Sequence, residues 1–144
     1  MSINPLQQPF IERFAESANS IHAFYAPGRV NLIGDHTDYS GGLVFPCAID
    51  SGTTMLIRKR DDNEVKLASM NFELMASLQP EELDQKYGDN WINYVLGVID
   101  QFRQRGVETV GFECLFSGNI PNGGGLSSSA SLEVVTAFAL NQLF

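Results

Sequence analysis

Residues 118–131 read G-N-I-P-N-G-G-G-L-S-S-S-A-S. Three consecutive glycines, Gly123, Gly124 and Gly125, lead through Leu126 to Ser127, Ser128 and Ser129. The run V-G-F-E-C-L-F at 110–116 predicts a strand before the stretch, and the apolar run at 130–144 predicts a helix after it. A strand, a glycine turn and a helix start make an anion site. The first amides of a helix have no intrahelical acceptor, and the helix dipole places partial positive charge there. Glycine lets backbone N–H groups turn towards one point and lets a phosphate approach without meeting a Cβ. Serine hydroxyls can cap the helix, donate to phosphate oxygens or ligate Mg2+. Gly- and Ser-rich clusters are commonly plain loops, but this one feeds straight into a long apolar helix. It lacks the lysine of a Walker A loop and does not follow the Rossmann fingerprint.

Working outward, 144 residues suit one domain with a real core. An apolar content of 44% is that of a globular chain rather than a disordered one. No apolar run approaches the ~20 residues of a membrane helix, and the start M-S-I-N-P shows no secretory pattern. Cys47 and Cys114 sit in apolar, strand-like runs without metal spacing, so both are expected to be buried free thiols. These features predict a cytoplasmic protein. The net charge of −8 argues against nucleic acid or an anionic membrane as partner. It leaves room for a nucleotide held by backbone amides, an arginine and Mg2+.

Periodicity predicts a short amphipathic helix at 9–18 and strands at 21–26 and 29–33, broken by Pro27-Gly28. Further strands are expected at 43–49 and 53–59. A hairpin turn at 60–63 should return the chain as a strand at 64–69 paired with 53–59. Residues 72–78 read as another short strand and 81–86 as weakly helical. A stronger helix is expected at 90–105, with Trp91, Tyr94, Val95, Val98, Ile99 and Phe102 on one side. The final helix is apolar almost all round and expects burial on several faces. The chain stops at Leu143-Phe144 with no cap or polar tail, which reads as an interruption of a longer sequence.

A second constellation lies at 29–38, R-V-N-L-I-G-D-H-T-D. Carboxylates and an imidazole on a tight turn can hydrogen-bond several vicinal hydroxyls at once, which suits a sugar. Arg29 presents a planar, permanently charged fork, which suits a phosphoryl group in transfer. Other readings compete. Asp35, Thr37 and Asp38 can cap turns, and His36 with two aspartates is a weak metal pattern. Calcium-loop spacing is absent.

The order Pro121-Asn122-Gly-Gly-Gly-Leu-Ser-Ser-Ser-Ala resembles the phosphate-binding loop of the GHMP small-molecule kinases, and Ser131-Leu132-Glu133 narrows the likeness towards galactokinase. Residues 26–39, A-P-G-R-V-N-L-I-G-D-H-T-D-Y, are similar to the galactokinase signature with one departure: Asp35 stands where the family usually has Glu. The resemblance spans roughly residues 23–144 and covers only the amino-terminal portion of the family's enzyme. It implies an α+β fold, a mixed β-sheet with helices packed on one face. Residues 1–144 would be the amino-terminal part of a GHMP kinase domain carrying both the sugar turn and the ATP phosphate loop.

The resemblance also implies roles. Arg29 matches the arginine that stabilises the transferring phosphoryl group. Asp35, His36 and Asp38 match sugar-hydroxyl contacts, with Thr37 inside the same turn. Gly123, Gly124, Gly125, Leu126, Ser127, Ser128 and Ser129 match the phosphate loop, and Ser129 the Mg2+ ligand. Trp91 and Tyr94 match aromatic residues beside adenine, although helix spacing alone equally makes them core positions. Ser69 falls where some members contact the nucleotide. The family's catalytic aspartate, its acidic Mg2+ ligand and a sugar-contacting tyrosine correspond to sequence beyond Phe144, as does a second domain closing the cleft. The implied activity is that of galactose metabolism: transfer of the γ-phosphoryl of ATP to the anomeric hydroxyl of galactose, with this chain alone inactive. A kinase for another sugar (N-acetylgalactosamine or arabinose) and a non-catalytic galactokinase-like sensor are the competing expectations.

Overall fold

Side chains alternate across a strand, so T-T-M-L-I-R-K at 53–59 sends Met55 and Ile57 to one face and Leu56 and Arg58 to the other. A computed structural model describes residues 4–121 and 126–144, and of Asp38 the backbone only. Among the described residues, the order is α1 (Gln7–Phe14), β1 (Ile21–Ile33), β2 (Phe45–Lys59), β3 (Val65–Ser69), β4 (Ala76–Leu78), α2 (Ile92–Arg103), β5 (Phe112–Gly118) and α3 (Ser128–Leu143). The strands form one mixed sheet in the order β1-β2-β5-β3-β4, antiparallel except for the parallel pair β3 and β5.

The two long helices, α2 and α3, cover one face. Their Val95, Ile99, Val135, Ala139 and Leu140 pack with Met55, Ile57, Leu67, Phe112, Cys114 and Phe116 of the sheet. Gly106, in the left-handed region at φ 77°, turns the chain out of α2. On α3 the apolar pattern runs almost all round: Val135, Ala139 and Leu140 are buried while Val134 and Phe138 are exposed. The short α1 lies on the opposite face, where Phe10 packs on Leu56, Ala68 and Leu115.

That opposite face also holds a buried ion pair. Arg58 and Glu113 face each other in register across β2 and β5, and each is at most 3% exposed. Arg58 Nε donates to Glu113 at 2.8 Å, and its Nη2 reaches the carbonyl oxygens of Ala15 (3.0 Å) and Phe14 (3.4 Å) at the end of α1. A cation there suits the negative end of the helix dipole, and the guanidinium also lies over the Phe10 ring. Arg60 donates to the other Glu113 oxygen at 2.8 Å and pairs with Asp62 and Glu64. The Arg60 guanidinium holds the Asp62 carboxyl below its usual range, and the Ser77 hydroxyl, ahead of Lys66, does the same for Glu64.

Four sequence expectations change. Pro27-Gly28 does not end a strand: β1 runs through it, with a register shift between Pro27 and Arg29. Residues 43–49 and 53–59 likewise merge into one long β2. The strand after the turn at 60–63 does not pair with β2, because β5 is inserted between them and β3 joins the far side of β5. The Arg60 N–H accordingly bonds to Gly111 O at 2.7 Å. Finally, Cys114 is buried but Cys47 is exposed. It lies on the distal part of the β1–β2 ribbon, where residues 43–48 are exposed.

Candidate functional site

The helix that follows the glycine stretch begins at Ser128 with Ser127 as its N-cap, at φ 60° and ψ 45°. That left-handed conformation is uncommon for a residue with a side chain and marks a constrained turn. Gly123, Gly124 and Gly125 lie outside the described residues. Leu126, just after them, turns its carbonyl back to β1.

A cavity of about 220 Å³ opens beside the start of α3. Ser128, Ser129 and Leu132 of α3 line it, with Trp91 and Tyr94 at the start of α2. Ser69, which ends β3, and Asn71 and Phe72, which follow it, close another side, with Thr53, Phe116, Gly118 and Ile120 at the base. Phe72 lies near-parallel to Trp91, with ring planes 17° apart and centroids at 6.4 Å, and Trp91 meets Phe116 edge to face. Tyr94 is 45% exposed, so it stands at the rim. Trp91 Nε1 is buried without a partner among the described residues. The cavity combines an aromatic wall with a hydroxyl-bearing helix start, which suits a flat base joined to an anion.

Asn71 shapes this cavity. Its side-chain amide donates to Gly118 O at 2.8 Å and accepts from Gly118 N at 2.8 Å, so it ends β5 as a strand neighbour would. Its own N–H bonds to Ser69 Oγ at 3.0 Å. Sequence reading singled out Ser69, Trp91, Tyr94, Ser128 and Ser129, and these converge here. It missed Asn71 and Phe72, whose placement depends on β5 lying next to β3, and Thr53, which β2 sets opposite Gly118 of β5.

The second constellation occupies the tip of the β1–β2 ribbon. Gly34 turns the chain at φ 96°, and a Cβ there would lie 2.5 Å from Leu43 O. Thr37 ties the tip together. Its N–H bonds to Gly34 O, its hydroxyl lies 3.0 Å from both Gly34 O and Leu43 O, and its carbonyl accepts from Ser40 and Gly42. Thr37 is therefore engaged by the turn itself. His36 Nδ1 meets the Tyr39 hydroxyl at 3.1 Å, and Asp35 and His36 are exposed. The Asp38 backbone forms a 3-10 turn with Tyr39 and Ser40.

The two motifs, about ninety residues apart in sequence, meet where β1 passes Leu126. Arg29 N–H donates to Leu126 O at 3.3 Å. Gly28 is buried against the same oxygen, and a Cβ on it would come within 2.9 Å of Leu126 O and of Ile120 Cδ1. Arg29, half-buried, is thus carried beside the end of the glycine stretch. Among the described residues no group of three His, Cys, Asp or Glu could hold a metal ion.

A mixed sheet with two long helices on one face, a serine-bearing start to the second of them and an extended ribbon alongside is the fold of the amino-terminal region of the GHMP kinases. Residues 93–144 match the GHMP kinases N terminal domain, and residues 8–59 match the galactokinase galactose-binding signature. The chain is 49% identical over its whole length to a galactokinase of Clostridium tetani, and covers 36% of that protein. It superposes on the crystal structure of Lactococcus lactis galactokinase complexed with galactose with a TM-score of 0.90 and 46% identity, covering 96% of this chain and 36% of the other. It superposes on the Methanococcus jannaschii mevalonate kinase with a TM-score of 0.73 and 26% identity, covering 88% and 41%. The chain belongs to the galactokinase family of GHMP kinases, and it spans about 36% of the length of such relatives.

Proposed function

We propose that these residues are the amino-terminal part of a GHMP kinase domain whose complete form transfers the γ-phosphoryl of ATP to the anomeric hydroxyl of galactose, giving galactose 1-phosphate and ADP. The observation that carries the reading is the meeting of the two motifs, Arg29 N–H on Leu126 O with Gly28 packed against it. A sugar held at the ribbon and a triphosphate held at the α3 start then share Arg29 between them.

In this reading Asp35, His36 and Asp38 hold sugar hydroxyls, and Thr37 keeps the turn in shape. Residues 123–129 receive the phosphates, and Trp91, Tyr94 and Ser69 flank the adenine. In the reaction the sugar oxygen forms a bond to γ-phosphorus as the bond to the bridging oxygen of ADP breaks, and the hydroxyl proton passes to a base supplied by the rest of the kinase. Such transfer needs positioning and charge stabilisation more than covalent chemistry. The Arg29 guanidinium offsets charge on the phosphoryl oxygens.

Mg2+ is commonly bound through one or two protein groups together with substrate phosphates. Ser129, whose residue lines the cavity, fits one such place, and the ion would arrive with the nucleotide and neutralise phosphate charge. The remaining protein groups of the site belong to the rest of the kinase. Among the described residues no helix is long and apolar enough to cross a membrane, and the location we propose is the cytoplasm.

The test is a panel of sugars offered with MgATP to the complete protein, with ADP and sugar phosphate both measured. Galactose 1-phosphate in step with ADP is expected. Preference for N-acetylgalactosamine or arabinose would reassign the substrate, and binding of ATP and galactose without turnover would make the protein a sensor.

A further inference from the structure

Ser131 lies one turn into α3 and is 2% exposed. A serine on the inner face of an apolar helix requires a partner, and this one has two. Its Oγ is 2.8 Å from Ala26 O and 2.9 Å from Thr53 Oγ1, and Thr53 is itself 6% exposed. A carbonyl only accepts, so the single serine proton goes to Ala26 O, and the Thr53 hydroxyl supplies the proton of the second bond. The chain of bonds runs from Thr53, in the wall of the aromatic cavity, through Ser131 to the backbone of β1.

Its location gives it consequence. Ala26 pairs with Thr53, just before the register shift between Pro27 and Arg29. Beyond the shift, Arg29 N–H is held by Leu126 O. The start of α3 therefore grips β1 on both sides of Gly28, at Ala26 through Ser131 and at Arg29 through Leu126. Gly28 between them is packed too tightly to slide, since a Cβ would touch Ile120, Leu126 O and Ile49. Two holds on one strand fix both its distance from α3 and its direction, and so where the Arg29 side chain starts.

We infer that Ser131 is a positioning residue for phosphoryl transfer: through Ala26 it sets Arg29 against the phosphate-binding start of α3, while Thr53 orients the Ser131 hydroxyl. This rests on the galactokinase reading above. Misplacing a reacting group by about 1 Å costs on the order of 100-fold in rate. Ser131→Ala should therefore lower kcat by about 10- to 100-fold, with the KM for galactose and for ATP each changing less than about threefold.

The experiment is a double-mutant cycle on kcat in the complete enzyme, using Ser131→Ala and Arg29→Ala, with the stoichiometry of ATP binding measured on each variant to count competent sites. If Ser131 acts through Arg29, its substitution costs less than about threefold once Arg29 is gone. Equal costs in both backgrounds, or a loss explained by fewer competent sites, would overturn the inference. Thr53→Val, which keeps the side-chain volume and removes the hydroxyl, carries the same test if Ser131→Ala does not fold. The two readings fail differently. An Arg29→Ala enzyme with full activity would overturn the role given to Arg29. An inactive Arg29→Ala beside a fully active Ser131→Ala would overturn only the role given to Ser131.

Discussion

In the proposed sugar turn Asp35 stands where the galactokinase signature it resembles has Glu, and it sits next to Gly34, whose backbone only glycine adopts without strain. Aspartate is one methylene shorter than glutamate, a difference of about 1 Å in reach. A water can fill a gap of that size at modest cost. Asp35→Glu in the complete enzyme is expected to change galactose affinity by less than about 2 kcal/mol, the scale of one charge-assisted hydrogen bond. ATP affinity should hold. A titration in which ATP affinity moved and galactose affinity did not would remove Asp35 from the sugar site. The two thiols make a simpler residue-scale case. Burial pushes the Cys114 thiol well up, with the Glu113 charge adding to it, whereas Cys47 is exposed. A colorimetric thiol reagent at neutral pH should find one reactive group within residues 1–144 before denaturation and two after. Two fast thiols in the native protein would contradict the placement of Cys114. Both cysteines look alike in sequence, because an apolar alternating run does not say whether its strand is inside a sheet or on a ribbon beyond it.

At the scale of elements, the ribbon tip depends on Gly34 and Thr37 closing onto Leu43. Gly34→Ala adds a Cβ against Leu43 O and a left-handed penalty of about 1–2 kcal/mol. Galactose affinity should fall at least about tenfold, an energy of about 1.4 kcal/mol, while ATP affinity stays within about twofold. Equal loss of both ligands would mean that the tip is not a separate sugar element. The opposite face rests on Arg58 and Glu113. Removing one partner of a buried pair typically costs about 3–5 kcal/mol, because the other charge stays buried. Glu113→Ala should lower the free energy of denaturant unfolding by about 3 kcal/mol, and α1, whose terminal carbonyls Arg58 holds, should lose protection from hydrogen exchange first. A change below about 1 kcal/mol would make the pair incidental. Neither residue announced itself in the sequence: on an alternating strand, Arg58 and Glu113 occupy the positions where solvent-facing charges stand. What buries them is α1, which is distant in sequence from both strands. Helix α2 was legible because its 3.6-residue apolar period is local, and α3 because a continuous apolar run is local too. The pairing of β3 was not. The turn at 60–63 has hairpin chemistry, and only the later insertion of β5 shows that the chain crosses over.

Across the whole molecule, one segment of β1 serves both halves of the proposed site. Residues 21–26 lie in the sheet, Gly28 and Arg29 touch the end of the glycine stretch, and the ribbon beyond carries Asp35 and His36 outward. The sheet face that carries α2 and α3 places Trp91, Tyr94, Ser128 and Ser129 around one cavity beside that junction. The composition of both motifs was readable in sequence. Their contact was not, since it depends on a shift in strand register and on a single backbone hydrogen bond. The central claim is that the ribbon turn and the α3 start are two halves of one galactose-phosphorylating site with Arg29 between them. A crystal structure of the complete protein with galactose, Mg2+ and a non-hydrolysable ATP analogue tests it most directly. The account predicts sugar hydroxyls on Asp35, His36 and Asp38, the triphosphate against residues 123–129, and the anomeric oxygen in line with γ-phosphorus beside the Arg29 guanidinium. A sugar bound away from the ribbon turn, or a triphosphate directed away from Arg29, would contradict it.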